Sequence, residues 1–273
     1  MWKRVLFVMT LLVGIGNAVH AGDYAVGTKF VYTAFSAQPR YGVRGYFVLE
    51  PNGLPHSASY PIYHTTTNHS RYGSETIVVY GGNGSIDLKI VTWIPNDRGC
   101  YDNLTQSPLN PSYYVWYKTL HIGNSNGNID STFQKYTTTA TLEGESKKVI
   151  LVENVSDWNS GVGKWREITR LYNYDTNSWD TLLDVVWNGN MQDNYSSLTT
   201  EGVWAGALET FEGTLPAWNG KKAGNYSMLF IGANGLWVSM QSPWCSLQES
   251  HSKTGLQVVN SNPIPSYWLA TVP

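Results

Sequence analysis

Two stretches of the chain share residue types that suit contact with a sugar ring. WNGNMQDNYSSL begins at Trp187 and WNGKKAGNYSML begins at Trp218, so Trp-Asn-Gly and Asn-Tyr-Ser-x-Leu recur at one spacing. An indole ring offers a flat apolar plane to the C–H face of a pyranose, and an adjacent amide exchanges hydrogen bonds with hydroxyl groups. The chemistry that this pattern favours is therefore carbohydrate contact.

Other tryptophans also stand beside turn residues, which widens the set of candidate ligand contacts. That set is Trp158, Asn159, Trp187, Asn188, Trp218, Asn219 and Trp244. The alternative is that each Trp is a core anchor at a strand end, because Trp is highly buried on average, while Asn-Gly supplies turn geometry. The similarity stops outside the two twelve-residue stretches, which favours recurring hairpins over a repeat of the whole chain.

Catalysis on a polysaccharide would need a different arrangement. A glycosidase needs two carboxyl groups about 5–9.5 Å apart. Asp180 and Asp184 are predicted on one strand face about 13 Å apart, so they do not form a local pair. A lyase would need Arg, Tyr and His around an acidic sugar, and such residues concentrate near the N-terminus. They are Arg40, Tyr41, Arg44, His56, His64, His69 and Arg71. No catalytic residue is assigned, and the sequence favours a protein that is not an enzyme.

No metal, cofactor or nucleic-acid motif is found in the sequence. The stretch NSNGNID from Asn124 to Asp130 resembles a calcium loop, but its Gly is at the fourth position rather than the sixth, which predicts a hairpin turn. Gly-rich phosphate loops and zinc spacings are absent from the sequence. The formal charge of −2 and the absence of a Lys/Arg cluster argue against nucleic acid as a partner.

The N-terminus has the features of a signal peptide. Lys3 and Arg4 precede the apolar run VLFVMTLLVGIG, and Val19-His20-Ala21 fits a cleavage site. We expect residues 1–21 to be removed and residues 22–273 to form one domain. The predicted location is secreted or extracellular, or periplasmic or cell-surface in a bacterium, and no later segment is long and apolar enough to span a bilayer.

Export predicts chemical modification of the cysteines, and of some Asn-x-Ser/Thr sequons if the host is eukaryotic. Cys100 and Cys245 are the two cysteines, so an oxidising compartment predicts one disulfide between them, with two buried free thiols as the alternative. Six Asn-x-Ser/Thr sequons are potential N-glycosylation sites in a eukaryotic host. They are Asn68, Asn83, Asn103, Asn154, Asn194 and Asn225.

The elements that must position these residues are predicted to be β-strands. Asn-Gly pairs recur along the chain, and segments of strand length run between them without a helical apolar period. Three hairpins stand out. Their arms are 137–142 with 147–152, 165–174 with 179–187, and 226–231 with 236–240. The turn spacing indicates about twelve strands in an all-β antiparallel sandwich or jelly roll, with a β-barrel as the alternative.

Alternation along 179–187 predicts which face of that strand meets the core. Period two sends Trp179, Leu183 and Trp187 inward and leaves Asp180 and Asp184 outside.

Together these features predict a secreted lectin-like protein that contacts extracellular glycan through its Trp-Asn-Gly and Trp-Asn-Ser loops. The alternatives are a polysaccharide-cleaving lyase or glycoside hydrolase on the same scaffold, an extracellular structural or interaction protein, and an apolar ligand held inside a barrel.

Overall fold

A computed structural model describes the strands and most of their connections. The described residues are 24–32, 39–50, 60–65, 72–95, 97–109, 114–142, 144–191, 201–209, 218–232, 234–239, 245–251, 257–261 and 267–271. The predicted signal peptide and Trp244 lie outside them. The described residues contain β-strands and one short 3-10 helix, Gln134–Tyr136. None of their helices has the length and apolarity needed to cross a membrane.

Among the described residues, the smaller sheet has seven antiparallel strands. They are β1 (Tyr24–Tyr32), β3 (Tyr60–Thr65), β4 (Gly73–Tyr80), β5 (Ser85–Trp93), β8 (Tyr114–Asn124), β13 (Glu201–Glu209) and β16 (Cys245–His251). Their order across the sheet is β16-β1-β13-β3-β4-β5-β8.

The larger sheet has eleven antiparallel strands in the part of the chain that the structure describes. They are β2 (Arg40–Leu49), β6 (Cys100–Asp102), β7 (Ser107–Leu109), β9 (Thr137–Leu142), β10 (Glu145–Asn159), β11 (Lys164–Asn173), β12 (Ser178–Asn188), β14 (Ala223–Ile231), β15 (Trp237–Ser239), β17 (Gln257–Ser261) and β18 (Tyr267–Thr271). The order is β17-β18-β14-β2-β10-β11-β12-β6-β7, with β15 paired to β14 and β9 paired to β10. Strands β6, β7 and β15 have only three residues each. Strands this short cannot be recognised from the spacing of turn residues in a sequence.

The two sheets pack face to face around one apolar core. Alternate residues of β5, such as Ile86 and Leu88, join Val43 and Phe47 of β2 in a single buried cluster. Period-two alternation explains this, because residues i and i+2 of a strand point to the same face. The prediction of an all-β antiparallel sandwich is confirmed, and the described strands form two separate sheets rather than the alternative barrel.

The three predicted hairpins are confirmed as strand pairs. Strand β9 pairs with β10, β11 with β12, and β14 with β15. Each turn is local in sequence, which is why turn chemistry and alternation were sufficient to identify it.

A β-bulge in β12 changes which of its side chains face the core. Leu183 pairs with Thr169 and Thr181 pairs with Arg170, so Leu182 is an extra residue on β12. One extra residue reverses the alternation on one side of the bulge. Leu183 and Trp187 point into the core as predicted. The prediction for the first half of the strand is wrong, because Trp179 stands on the outer face beside the Arg44 guanidinium.

The structure does not contain the predicted Cys100–Cys245 disulfide. Cys100 is a buried free thiol whose Sγ donates to the carbonyl oxygens of Pro95 and Arg98 at 3.3 and 3.2 Å. Cys100 belongs to β6 of the larger sheet, whereas Cys245 begins β16 at an edge of the smaller sheet. Counting cysteines could not reveal that separation.

Cys100 should be unreactive in the folded protein. Burial and the nearby Asp97 carboxylate raise the pKa of the thiol to about 11, so little thiolate exists at pH 8. We expect iodoacetamide to leave Cys100 unlabelled in the native protein and to label it fully in urea, as measured by peptide mass spectrometry. A disulfide-linked peptide containing Cys100 and Cys245 would contradict this arrangement.

Candidate functional site

Trp187 is a core residue rather than an exposed platform. Its ring is fully buried and stacks on Trp165, with the two ring centroids 6.1 Å apart. Its Nε1 donates to Glu167 Oε1 at 3.4 Å. Tyr72 covers another edge of the ring at 4.9 Å. The core-anchor alternative therefore describes Trp187, since a sugar cannot reach this ring in the folded protein.

Trp218 is also fully buried, and its turn differs from that of Trp187. Asn219 and Gly220 have φ of 50° and 78°, and the Lys221 N–H donates to the Trp218 carbonyl oxygen at 2.9 Å, as a type I′ turn requires. Neither Asn188 nor Gly189 has a positive φ. The two Trp-Asn-Gly segments are therefore not equivalent structures.

The two segments also lie at opposite ends of the larger sheet. Cross-strand pairing links Trp187 through Trp165 to Trp158, next to the end where Arg40 begins β2. The Trp218 turn instead leads into β14, where Gly224 pairs with Val48 near the other end of β2. Eight residues of extended strand separate those ends by about 26 Å. The segments cannot form one site.

Trp158 is the described candidate tryptophan that keeps partial exposure. It lies at the end of β10, and its ring contacts Trp165 at 5.7 Å between centroids. Asn159, Asn188 and Asn219 are exposed. Ligand contact by Trp158 and by these three amides stays a prediction, and Trp244 lies outside the described residues.

Two of the four predicted glycosylation sites that the structure describes are inside the sandwich. Asn154 is completely buried, where its Nδ2 donates to Ser74 and Thr169 and its Oδ1 accepts from Thr76 at 3.0 Å. Asn225 is 1% exposed. The folded structure therefore excludes a glycan on either amide, because a buried Nδ2 has no room for a sugar. Asn68 and Asn194 lie outside the described residues.

Asn83 is the best-placed described sequon. It is exposed in the β4–β5 turn, and its Oδ1 accepts hydrogen bonds from the amide and hydroxyl of Ser85. Asn103 is half-buried, and its Nδ2 donates to Asp184 Oδ1 at 2.9 Å.

We expect a chain folded and secreted by a eukaryotic host to carry a glycan on Asn83 and none on Asn154 or Asn225. The measurement is site occupancy by glycopeptide mass spectrometry, with Asn83→Gln as the matched control. Substantial occupancy of Asn154 in the soluble folded fraction would contradict the buried position of that amide.

Charged side chains form two rows across the outer face of the larger sheet. Three neighbouring strands each carry two charged residues four positions apart, which places both on one face about 13 Å apart. Pairing of β2 with β10 and of β10 with β11 aligns them. The first row is Arg40, Asp157 and Arg166, and the second is Arg44, Glu153 and Arg170.

The second row is centred on a buried carboxylate. Glu153 has 2% of its side chain exposed, whereas Arg44 and Arg170 keep 27% and 31%. Arg44 donates Nε and Nη2 to Glu153 Oε2, and Arg170 donates Nη1 to Oε1 at 3.0 Å. One carboxylate is therefore shared by two guanidinium groups, whose remaining surface reaches solvent.

Two partly exposed tryptophans flank this row. Arg44 Cζ lies 4.2 Å from the Trp237 ring centroid and 5.1 Å from that of Trp179, which is the geometry of a cation–π contact. Trp179 also meets Tyr172 edge-on at 5.4 Å. We call Arg44, Glu153, Arg170, Trp179 and Trp237 the Glu153 cluster.

Gly42 allows Trp237 to lie against the sheet. A Cβ at this position would come within 2.5 Å of Ile231 Cδ1 and 3.0 Å of Trp237 Cη2. Trp237 thereby packs on the outer-face apolar cluster of Val155, Ile168 and Ile231. The absent side chain is what lets the β14–β15 hairpin hold its indole beside Arg44.

The first charge row is more nearly neutral than the second. Arg166 donates Nε and Nη2 to the two oxygens of Asp184, which neutralises it. Arg40 lies 3.0 Å from Asp157. Burial raises the pKa of Asp157 despite the opposing effect of Arg40 and Arg166.

Among the residues considered for a lyase site, those that the structure describes do not come together. Arg40 and Arg44 are on the outer face, but Tyr41 is buried in the core against Trp165. His64 belongs to β3 of the smaller sheet, and His56, His69 and Arg71 lie outside the described residues. The bulge also separates Asp180, which accepts from the core residue Tyr136, from Asp184 on the outer face.

Acid should weaken the fold through Asp180 and Asp184. Burial alone would raise the pKa of both, but hydrogen bonds from Tyr136 and Asn173 to Asp180, and from Arg166 and Asn103 to Asp184, lower it below the ordinary value. A carboxyl with a lowered folded pKa stabilises the fold above its unfolded pKa, and that stabilisation is lost as the pH falls through the folded pKa.

We therefore expect the free energy of unfolding to fall as the pH drops below about 4, the unfolded value for Asp. Urea denaturation at pH 7, 5 and 3 measures it. Asp184→Asn is the control, since this variant should lose less stability between pH 5 and pH 3. An identical pH dependence in both proteins would contradict the role given to Asp184.

Comparison with known proteins gives little further information. No protein-family model and no curated protein matches the sequence. Among solved structures, the chain is similar to the Ruminococcus gnavus IT-sialidase CBM40 bound to alpha2,6 sialyllactose, with 8% identity over 70% of this chain and 87% of that chain, and a TM-score of 0.16. It is also similar to the heptameric SAP-like pentraxin from Limulus polyphemus, with 11% identity over 84% of this chain and 100% of that chain, and a TM-score of 0.20. At these TM-scores, neither similarity supports a conclusion about fold or function.

Proposed function

We propose that this protein is an extracellular carbohydrate-binding protein whose glycan contacts the outer face of the larger sheet at the Glu153 cluster. The observation that carries the proposal is the Arg44 guanidinium between the partly exposed rings of Trp179 and Trp237, above the buried Glu153 carboxylate. Secretion is part of the proposal and is supported by the N-terminal sequence.

The cluster combines the two kinds of contact that a sugar requires. The Trp179 and Trp237 rings provide apolar planes for the C–H faces of a pyranose. Arg44 and Arg170 provide N–H donors for ring substituents and hydroxyl oxygens. The ion pairs and ring contacts hold these groups in place before a ligand arrives, which reduces the entropy lost on binding.

The position of the cluster on paired strands supports the same function. Strands β2, β10 and β11 are hydrogen-bonded neighbours in the larger sheet, so the guanidinium spacing is fixed by backbone pairing. Sites built on strands are held more rigidly than sites on loops.

Isothermal titration calorimetry tests the proposal with neutral and acidic polysaccharides as ligands. We expect wild-type protein to bind at least one of them and Trp179→Ala to weaken that binding about tenfold or more, as loss of an aromatic contact does. Trp158→Ala is the matched control, because Trp158 is also a partly exposed tryptophan of the larger sheet but lies on the inner side at the strand end.

Circular dichroism first establishes that both variants are folded. Loss of binding in Trp158→Ala with unchanged binding in Trp179→Ala would place the site at the strand-end loops and contradict the proposed location. Failure of the wild-type protein to bind any polysaccharide in the panel would contradict the proposed function itself.

A further inference from the structure

The Glu153 cluster carries a local excess of positive charge in a chain of formal charge −2. Glu153 is shared by Arg44 and Arg170, so this row has two guanidinium groups for one carboxylate. The first row differs, because Arg166 has a carboxylate partner of its own in Asp184, which accepts hydrogen bonds from its Nε and Nη2. Of the two rows, the row of Glu153 is therefore the one with an excess of positive charge.

The positive groups of the cluster are also the ones that face solvent. The Glu153 side chain is 2% exposed, against 27% for Arg44 and 31% for Arg170. A ligand approaching the sheet would meet N–H donors and ring faces before the carboxylate beneath them. Because the carboxylate is held under the guanidinium groups, it neutralises only part of their charge.

Arg170 has donors left for such a ligand. Its contact with Glu153 uses Nη1, and no further hydrogen bond of Arg170 is found among the described residues. A guanidinium has five N–H donors in a planar fork that matches the two oxygens of a carboxylate or sulfate. The fork of Arg170 can therefore take a second anion without breaking the first contact.

We infer that the glycan bound at the Glu153 cluster carries an anionic substituent, a carboxylate or a sulfate, which the Arg170 fork binds beside Arg44. This inference rests on the proposed function and names its ligand class. The tryptophan rings contact the sugar ring, and Arg170 discriminates acidic from neutral sugars.

Matched polymers that differ in charge test the inference directly. The first pair is polygalacturonate and its full methyl ester, and the second is chondroitin sulfate and desulfated, methyl-esterified chondroitin. Calorimetry in 50 and 300 mM NaCl should show about tenfold or greater preference for the acidic member of at least one pair, weaker at high salt.

Variants at position 170 connect the preference to one side chain. Arg170→Gln should bring the acidic and neutral members of the pair to within about twofold of each other, while Arg170→Lys should keep part of the preference, since it retains charge without the fork. Lys164→Gln is the control, because it removes one exposed positive charge from the same strand at the opposite end of β11.

The outcomes separate the inference from the proposed function. Equal binding of acidic and neutral members, or binding of neutral polysaccharides alone, overturns the inference and leaves glycan binding standing. A preference that Arg170→Gln and Lys164→Gln reduce equally also overturns it, since general charge would then be the cause. Binding to no polymer at all contradicts both.

Discussion

Replacing Trp187 with alanine is expected to lower the free energy of unfolding by about 3–5 kcal/mol, the range for deleting a large buried aromatic side chain. The ring is fully buried against Trp165 and Tyr72, so its removal leaves a cavity that the paired strands cannot close. It also removes an N–H donor from the buried Glu167 carboxylate. Urea denaturation followed by circular dichroism measures the change.

Trp158→Ala is the matched control for this prediction. Trp158 belongs to the same row of contacting rings but keeps partial exposure, so its loss should lower the free energy of unfolding clearly less than the loss of Trp187. Equal effects of the two substitutions, or a Trp187→Ala protein as stable as the wild type, would be incompatible with Trp187 as a core anchor.

Glu153→Gln is expected to destabilise the fold by about 2–3 kcal/mol. Removing one partner of a fully buried ion pair typically costs about 3–5 kcal/mol, and the cost is expected to fall below that range here because Arg44 and Arg170 both reach solvent. The substitution keeps the shape of the side chain, so the loss reports the charge that holds two guanidinium groups together. Denaturant unfolding in 50 mM salt gives the value.

Asp157→Asn tests whether burial of the carboxylate, rather than its charge alone, determines how much stability the substitution removes. Asp157 is the equivalent carboxylate of the first row, but 37% of its side chain is exposed. Exposed ion pairs contribute about 0–1 kcal/mol, so the loss should stay below about 1 kcal/mol. If Asp157→Asn cost as much as Glu153→Gln, the special role given to the buried carboxylate would be wrong.

The sequence was sufficient to predict the features that depend on short stretches of chain. Turn residues and alternation identified the β9–β10, β11–β12 and β14–β15 hairpins, because both arms of a hairpin lie within about twenty residues of one turn. The sandwich follows from those alternating faces, each of which has to be buried against another layer.

Features that depend on long-range pairing were not predicted. Arg44 and Glu153 meet although 109 residues separate them, and Trp237 reaches Arg44 only because β14 pairs with β2. A signal was present, since Arg40/Arg44, Glu153/Asp157 and Arg166/Arg170 share a spacing of four and alternate in sign between strands. Only the pairing of β2 with β10 and of β10 with β11 turns that spacing into rows.

The tryptophans show why residue type alone does not locate a site. Trp187, at the end of β12, is a core residue, whereas Trp179, near the start of the same strand and predicted to be core, lies on the outer face. Burial depends on which face a side chain occupies, and one unpaired residue reverses the face that strict alternation along the sequence assigns.

The extra residue at Leu182 has a consequence for how the length of this strand can change. With Leu182 deleted, Leu183 would still pair with Thr169 and Thr181 with Arg170, so Trp179 would stay opposite Tyr172 on the outer face. The gain or loss of a single codon at this position therefore changes the length of β12 without moving a ring from one face of the sheet to the other. A strand with such a bulge can vary in length during evolution while the surface that it carries is kept.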